Sequence, residues 1–194
     1  MATLAPTLRP APAAFDEAPA GKIAIWWFLA SEIMTFGGLI ASDVVMRLGG
    51  DGWAEASAHL HVTLAAVNTV VLLTSSFTVV QAFVALERGD ERAFRLHMVL
   101  TILAGLAFLG LKAVEYTTEI RAGFTPSTGI FWSFYYTMTG MHALHVLGGV
   151  VVNGIVLVTE GAGVKNPHRV ELAGLYWHFV DVVWIFLFPL LYLV

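Results

Sequence analysis

The sequence predicts an all-α integral membrane protein, a bundle of five transmembrane helices. Of its 194 residues, 58% are hydrophobic and only 12% are charged, and the mean hydropathy is +0.77. A soluble domain usually carries about twice that share of charged residues. Five apolar segments are long enough to cross the hydrocarbon core, for which a helix needs about 20 residues. Little of the chain is therefore expected outside the bilayer.

Composition also excludes several functions. The net charge of −4 gives no electrostatic footprint for nucleic acid. The chain contains no Cys, which excludes disulfides, a thiolate-bridged copper centre and an iron–sulfur cluster held by this polypeptide.

The chain divides into a tail and one membrane domain. Residues 1–21 are rich in Pro and Ala and lack the apolar run of a signal peptide, so we expect a flexible tail. Residues 22–194 form the five-helix domain. Its spans are predicted at about 22–46, 61–86, 94–117, 129–158 and 173–193.

The distribution of Lys and Arg predicts the orientation, because cytoplasmic connections are enriched in these residues. The tail and the second and fourth connections carry seven of them: Arg9, Lys22, Arg88, Arg92, Arg95, Lys165 and Arg169. The opposite side carries Arg47 and Arg121, and Lys112 lies within a span. We therefore expect the N-terminus inside and the C-terminus outside.

The first span places Glu32 near the middle of the bilayer, in "WWFLASEIMTFGG". A carboxylate at that depth is costly, so it is protonated or partnered. Two roles stay open: a proton-linked acid at an interface, or a protonated Glu that hydrogen-bonds a neighbouring helix. Gly37 and Gly38 favour a close helix approach just beyond it.

Polar residues recur along the second span. Asn68 and Ser75 are seven residues apart, and so are Thr69 and Ser76, which stacks each pair on one helix face. Hydrogen bonding between helices is the favoured interpretation.

The third span carries an acid and a base. Lys112 and Glu115 are three residues apart, so they can neutralise each other. An ion pair that anchors the helix end is favoured over a channel or transporter function.

The fourth span has the clearest pattern, a stripe of small and polar residues on one face: Thr139, His142, His145, Gly149 and Asn153. Two His at this spacing could hold a metal or a haem. A haem bundle usually needs axial His on facing helices, however, and a carboxylate-rich cluster is missing. Neutral His bonded to neighbouring helices are therefore favoured.

The fifth span contains "GLYWHFVDVVWIFLF", in which His178 lies one turn before Asp181. An Asp–His contact would share a proton and avoid two isolated charges. Trp177 and Trp184 flank this pair, so we expect a buried hydrogen-bonded seam against another helix.

Six segments together resemble subunit III of the haem–copper oxidases, such as cytochrome c oxidase. In order they are "FLASEIMTFGG", "VNTVVLLTSSFTV", "ALERGDERAF", "LKAVEY", "FYYTMTGMHALHV" and "YWHFVDVVWIFLF". The resemblance covers about residues 22–194. The intramembrane polar residues that match family positions are Glu32, Asn68, Glu115, His142, His145, His178 and Asp181.

The resemblance implies a non-catalytic, multi-pass subunit in a bacterial plasma membrane, within a proton-pumping terminal oxidase that reduces oxygen to water. Haem and copper then belong to partner subunits, this chain holds no redox centre or metal, and none of the matched residues is catalytic. The implied partners are subunit I directly, subunit II in the same complex, a small fourth subunit or supercomplex in some forms, and membrane lipid. The implied role is support of proton uptake and protection from inactivation during turnover, with electrons from cytochrome c or quinol.

Many members of that family have seven helices, and this chain matches the last five. The lipid-binding residues of the first two helices cannot be carried over, so a structural phospholipid stays an open expectation. Three alternatives also stay open: an accessory subunit associated with nitric oxide reductase, a small cytochrome with haem on His142, His145 and His178, and a proton-coupled transporter that uses Glu32 and Asp181.

Overall fold

The computed structural model describes residues 20–161 and 166–193 as six helices. They are α1 (Ala20–Leu48), α2 (Trp53–Ser57), α3 (Val62–Glu87), α4 (Glu91–Arg121), α5 (Ile130–Gly161) and α6 (Pro167–Tyr192). Of the predicted tail, only residues 20 and 21 are described. Arg9 and Lys165 lie outside the described residues.

Five of these helices are long and apolar enough to cross a membrane, which confirms the predicted all-helical architecture. In the described part of the chain, α3 packs against α4 and α6, and α5 also packs against α4 and α6. These four helices form a closed ring, hereafter the α3–α6 ring. The remaining long helix, α1, lies outside the ring against α5 and α6.

Most ends of the five long helices extend beyond the predicted apolar spans, and several follow local sequence signals. Gly89 (φ 75°) and Gly123 (φ 93°) end α3 and α4 in the left-handed region, which glycine adopts without steric cost. The carboxylate of Asp90 accepts the amide proton of Ala93, at 3.0 Å, and caps α4. Charged turns at these ends were excluded from the predicted spans because hydropathy marks the hydrocarbon core, whereas helical hydrogen bonding continues past it.

The short helix α2 was not predicted, since its segment reads as a connection rich in Gly. Its Trp53 is buried and meets the ring of Phe131 edge-on, with centroids 5.7 Å apart. The guanidinium of Arg47 lies 5.4 Å from the centre of the Trp53 ring, a cation–π distance. The connection between α1 and α3 is thereby packed against the start of α5.

The helix α1 contacts the ring along one narrow line. Its buried residues are Leu29, Phe36 and Asp43, each seven positions from the next. Gly37 and Gly38 are exposed, and no described atom lies within 4 Å of a Cβ built on either of them. The close helix approach expected there is therefore absent from the described chain, because α1 turns its opposite side to the ring.

Candidate functional site

The polar residues of α3 meet the Trp- and His-bearing face of α6. The indole N–H of Trp177 donates to the hydroxyl of Ser75 at 2.9 Å, and the indole N–H of Trp184 donates to the hydroxyl of Thr69, also at 2.9 Å. Both indoles are buried, and a buried Trp N–H needs a partner. The predicted seam between helices is present, and α3 is its second side.

Two glycines make room for Trp177. A Cβ on Gly105 of α4 would lie 2.7 Å from the Trp177 ring, and a Cβ on Gly149 of α5 would lie 2.6 Å from it. Either distance is too short for a real contact. The large ring therefore fills a slot between α4 and α5 while its N–H reaches α3, so one side chain contacts all three other helices of the ring.

His178 and Asp181 do not form the contact expected from their spacing. The Nδ1 atom of His178 is hydrogen-bonded to the hydroxyl of Ser76. The Ser76 hydroxyl also lies beside the Asp181 carboxyl, but the two do not meet at hydrogen-bonding geometry. Among the described residues, neither carboxyl oxygen of the buried Asp181 has a hydrogen-bond partner. The Ser76 hydroxyl of α3 is thus the hydrogen-bond partner of His178, where Asp181 was expected.

Asn68 extends this seam toward α4. It is buried, and its amide N–H donates to the backbone carbonyl of Phe108 at 3.3 Å. The resulting contact joins α3 and α4 at the centre of the ring.

The ion pair predicted within α4 is present and lies deep in the protein. The Nζ atom of Lys112 is 3.1 Å from Oε2 of Glu115, and the two residues are only 2% and 1% exposed. Lys112 also donates to the hydroxyls of Tyr135 at 3.2 Å and Tyr192 at 2.7 Å. Both tyrosine hydroxyls in turn donate to Oε1 of Glu115.

We call this four-residue group the Lys112 cluster. Its Nζ atom lies 4.9–5.5 Å from the centres of four aromatic rings, those of Tyr116, Tyr135, Trp184 and Tyr192. Buried charges are tolerated only when paired and hydrogen-bonded, and both conditions are met. The cluster joins α4, α5 and the last turn of α6.

Sequence reasoning did not identify Tyr135 and Tyr192 as members of this cluster. Tyr135 lies one turn before Thr139, so extending the polar stripe of α5 backwards would have found it. Tyr192 is 77 residues from Glu115 along the chain. Its contact with Glu115 depends on the register of α6 relative to α4, which no local sequence pattern predicts.

Glu32 is partnered by one of the predicted His. Its Oε2 atom lies 3.0 Å from Nε2 of His145, and the side chains are 18% and 17% exposed. The Nδ1 atom of His145 bonds the backbone carbonyl of Met141, which fixes the ring orientation. This contact ties α1 to α5 at mid-helix depth.

The other His of the stripe, His142, is fully buried. Its ring stacks on Trp184, with centroids 5.1 Å apart, and meets Phe108 edge-on at 5.4 Å. Neither of its ring nitrogens has a hydrogen-bond partner among the described residues. Asn153, three turns further along the stripe, is also fully buried.

The predicted His residues are dispersed. His142 stacks on Trp184, His145 pairs with Glu32, and His178 bonds Ser76. Across residues 20–161 and 166–193, no group of three or more His, Cys, Asp or Glu side chains is placed to hold a metal ion. The described geometry therefore joins helices together and offers no cluster of metal ligands.

Fold and site define a multi-pass helical membrane protein whose interior polar side chains join its helices. A family model described as "Cytochrome c oxidase subunit III" matches residues 21–194. The chain belongs to the cytochrome c oxidase subunit III family, as the six sequence segments predicted.

Curated relatives are similar over most of their length. A cytochrome c oxidase subunit 3 from Corynebacterium diphtheriae is 39% identical over 173 residues, which cover 86% of this chain and 84% of the relative. A cytochrome c oxidase subunit 3 from Thermostichus vulcanus is 36% identical over 170 residues, covering 86% and 83%. A probable quinol oxidase subunit 3 from Staphylococcus haemolyticus is 32% identical over 182 residues, covering 92% and 90%. Membership of the subunit III family implies membership of an oxidase complex.

Proposed function

We propose that this chain is the five-helix subunit III of a proton-pumping haem–copper terminal oxidase in a bacterial plasma membrane. It binds subunit I, stabilises that catalytic subunit and supports proton uptake into it. Haem and copper reside in the partner subunits, and the seven matched polar residues maintain the packing of this chain. The observation that carries the proposal is the family match over residues 21–194.

Proton uptake on the cytoplasmic side is supported by the connection between α3 and α4. Residues 87–92 are all exposed and contain three acidic and two basic side chains, Glu87, Arg88, Asp90, Glu91 and Arg92. Exposed carboxylates exchange protons with water and raise their local supply. The proposed orientation, with the N-terminus inside and the C-terminus outside, places this connection on the side from which protons are taken up.

The proposed site of a structural phospholipid is a groove between α1, α5 and α6. The groove has a volume of about 620 Å³, and apolar side chains such as Phe28, Ile155 and Leu172 line most of it. Arg169 lies on its wall at the start of α6 and provides a cation for a lipid phosphate. This groove lies on helices that the five-helix chain retains, which supports it as the proposed lipid site.

The proposal is tested by purifying a tagged chain from its native membrane in mild detergent. We expect it to copurify with a haem-containing oxidase subunit I and to show the redox spectrum of that assembly. Recovery of the chain without a haem protein, or with a nitric oxide reductase in place of an oxidase, would contradict the proposal.

A substitution in the same preparation tests the role of Glu32. Glu32→Gln keeps a polar partner for His145 and should leave haem content and electron transfer intact. Loss of a haem from the assembly on this change alone would refute a role confined to packing.

A further inference from the structure

The helix α1 has the smallest share of buried residues of the five long helices. In its most apolar 18-residue window, 11% of the residues are buried inside the protein, compared with 28–39% in the other four. Lipid tails are as apolar as the side chains of a helix, so no hydrophobic driving force holds two helices together in a bilayer. The attachment of α1 therefore depends on its direct contacts.

Polar contacts join α1 to the α3–α6 ring at three depths. Near its N-terminus, the Nζ atom of Lys22 lies 2.7 Å from a carboxylate oxygen of Glu171. In its middle, Glu32 pairs with His145. At its C-terminus, the guanidinium of Arg47 donates to the backbone carbonyl of Leu190.

These three contacts are partly exposed, whereas the most deeply buried polar contacts lie inside the ring. The side chains of Lys22 and Glu171 are 38% and 34% exposed, and exposed ion pairs contribute little to stability. The Lys112 cluster and the bond from Trp177 to Ser75 are buried, the bond from Trp184 to Thr69 is partly buried, and none of them involves a residue of α1. The α3–α6 ring is thus stabilised by its own contacts, which do not depend on α1.

The apolar groove lies on the same boundary. Ile25 and Phe28 of α1 form one wall, and residues of α5 and α6, including Gly148 and Tyr176, form the other. Across the groove the rings of Phe28 and Tyr176 are in contact, with centroids 5.9 Å apart. The groove therefore interrupts the packing of α1 against α5 and α6 beside this contact.

From these observations we infer that α1 is a separable helix. It can leave the α3–α6 ring while the ring stays folded, and its departure removes one wall of the groove between α1, α5 and α6. The inference concerns a motion within this chain and does not depend on which oxidase the chain serves.

Distance measurements between spin labels in the purified complex test this inference, because the chain has no Cys of its own. Labels at Met34→Cys of α1 and Val70→Cys of α3 report the position of α1 relative to the ring. Labels at Leu144→Cys of α5 and Val70→Cys report the ring alone. All three native residues are at least 63% exposed, and a preparation without introduced Cys gives the background from partner subunits.

The perturbation is the pair Lys22→Ala and Glu32→Gln, which weakens two of the three contacts. Ser42→Ala is the matched control on α1, since within the described parts of the chain its exposed hydroxyl bonds only the Gly38 carbonyl of the same helix, at 2.8 Å. We expect the α1–ring distances to broaden toward longer values in the paired variant, with the ring distances unchanged and the control variant like the unsubstituted protein. Unchanged α1–ring distances would overturn the inference, and so would broadening of both label pairs together.

Discussion

The Lys112 cluster predicts a strong dependence between two substitutions. Glu115→Gln removes the carboxylate that neutralises Lys112 at 3.1 Å and leaves an ammonium group that is only 2% exposed. Removing one partner of a buried ion pair costs about 3–5 kcal/mol. For a chain of this size, that loss lowers the midpoint of thermal unfolding by on the order of 10 °C.

The double variant Lys112→Met, Glu115→Gln should recover most of this loss. Both charges are then absent, Met fills the volume of the Lys stem, and the Gln carbonyl still accepts a hydrogen bond from a tyrosine hydroxyl. Replacing a whole buried ion pair with apolar groups of similar volume is often neutral. Thr117→Ala serves as the control on α4, because its exposed hydroxyl bonds, among the residues that the structure describes, only the Ala113 carbonyl of its own helix.

Unfolding can be followed in the purified complex through one introduced thiol. A Cys at the fully buried Ala82 of α3 reacts with a fluorescent thiol reagent only when this chain unfolds, and gel separation isolates its signal from partner subunits. The single variant should melt well below the double variant. Equal midpoints for the two variants would refute the interpretation of Lys112 and Glu115 as mutually dependent buried charges.

Three further predictions rest on single contacts. Gly149→Ala should lower the stability of the folded chain by about 1–3 kcal/mol, because the added methyl group overlaps the Trp177 ring. Gly154→Ala should be harmless, because no described atom lies within 4 Å of a Cβ there. The thermal midpoints of the two variants are compared through the reactivity of the Cys at position 82, and equal midpoints would contradict the tight fit of Trp177 against Gly149. Thr69→Val removes the acceptor of a buried indole N–H of α6 and should cost about 1–3 kcal/mol, checked by the same melting curve, in which an unchanged midpoint would argue against the seam. Arg169→Gln should lower the phospholipid retained per complex after detergent exchange, measured by mass spectrometry of extracted lipid, and unchanged retention would remove Arg169 from the lipid site.

Much of the fold could be read from the sequence because lipid imposes a simple requirement on the chain. Every span must be long and apolar, so hydropathy located five helices without knowledge of their packing. The same requirement made interior polar residues conspicuous. Lys112 and Glu115 were paired correctly because both belong to one helix and lie three residues apart.

Contacts between distant helices could not be predicted in this way. Ser76 and His178 are 102 residues apart, and their contact depends on the register between α3 and α6. The prediction of an Asp181–His178 contact was wrong for that reason, because the Ser76 hydroxyl of the neighbouring helix bonds the His178 imidazole instead. The close helix approach predicted at Gly37 and Gly38 was wrong for a different reason. Small residues permit close packing, but they do not determine on which side of the helix a partner lies.

Polar side chains in the interior of this chain join its helices, and we propose that the chain holds no redox centre. The most direct test of this claim is a haem and metal assay of the polypeptide after its release from the purified oxidase, together with a visible spectrum of each fraction. We expect all haem and copper to stay with the remaining subunits, and the released chain to show no Soret band. Haem or copper recovered in stoichiometric amount with the released chain would contradict the claim.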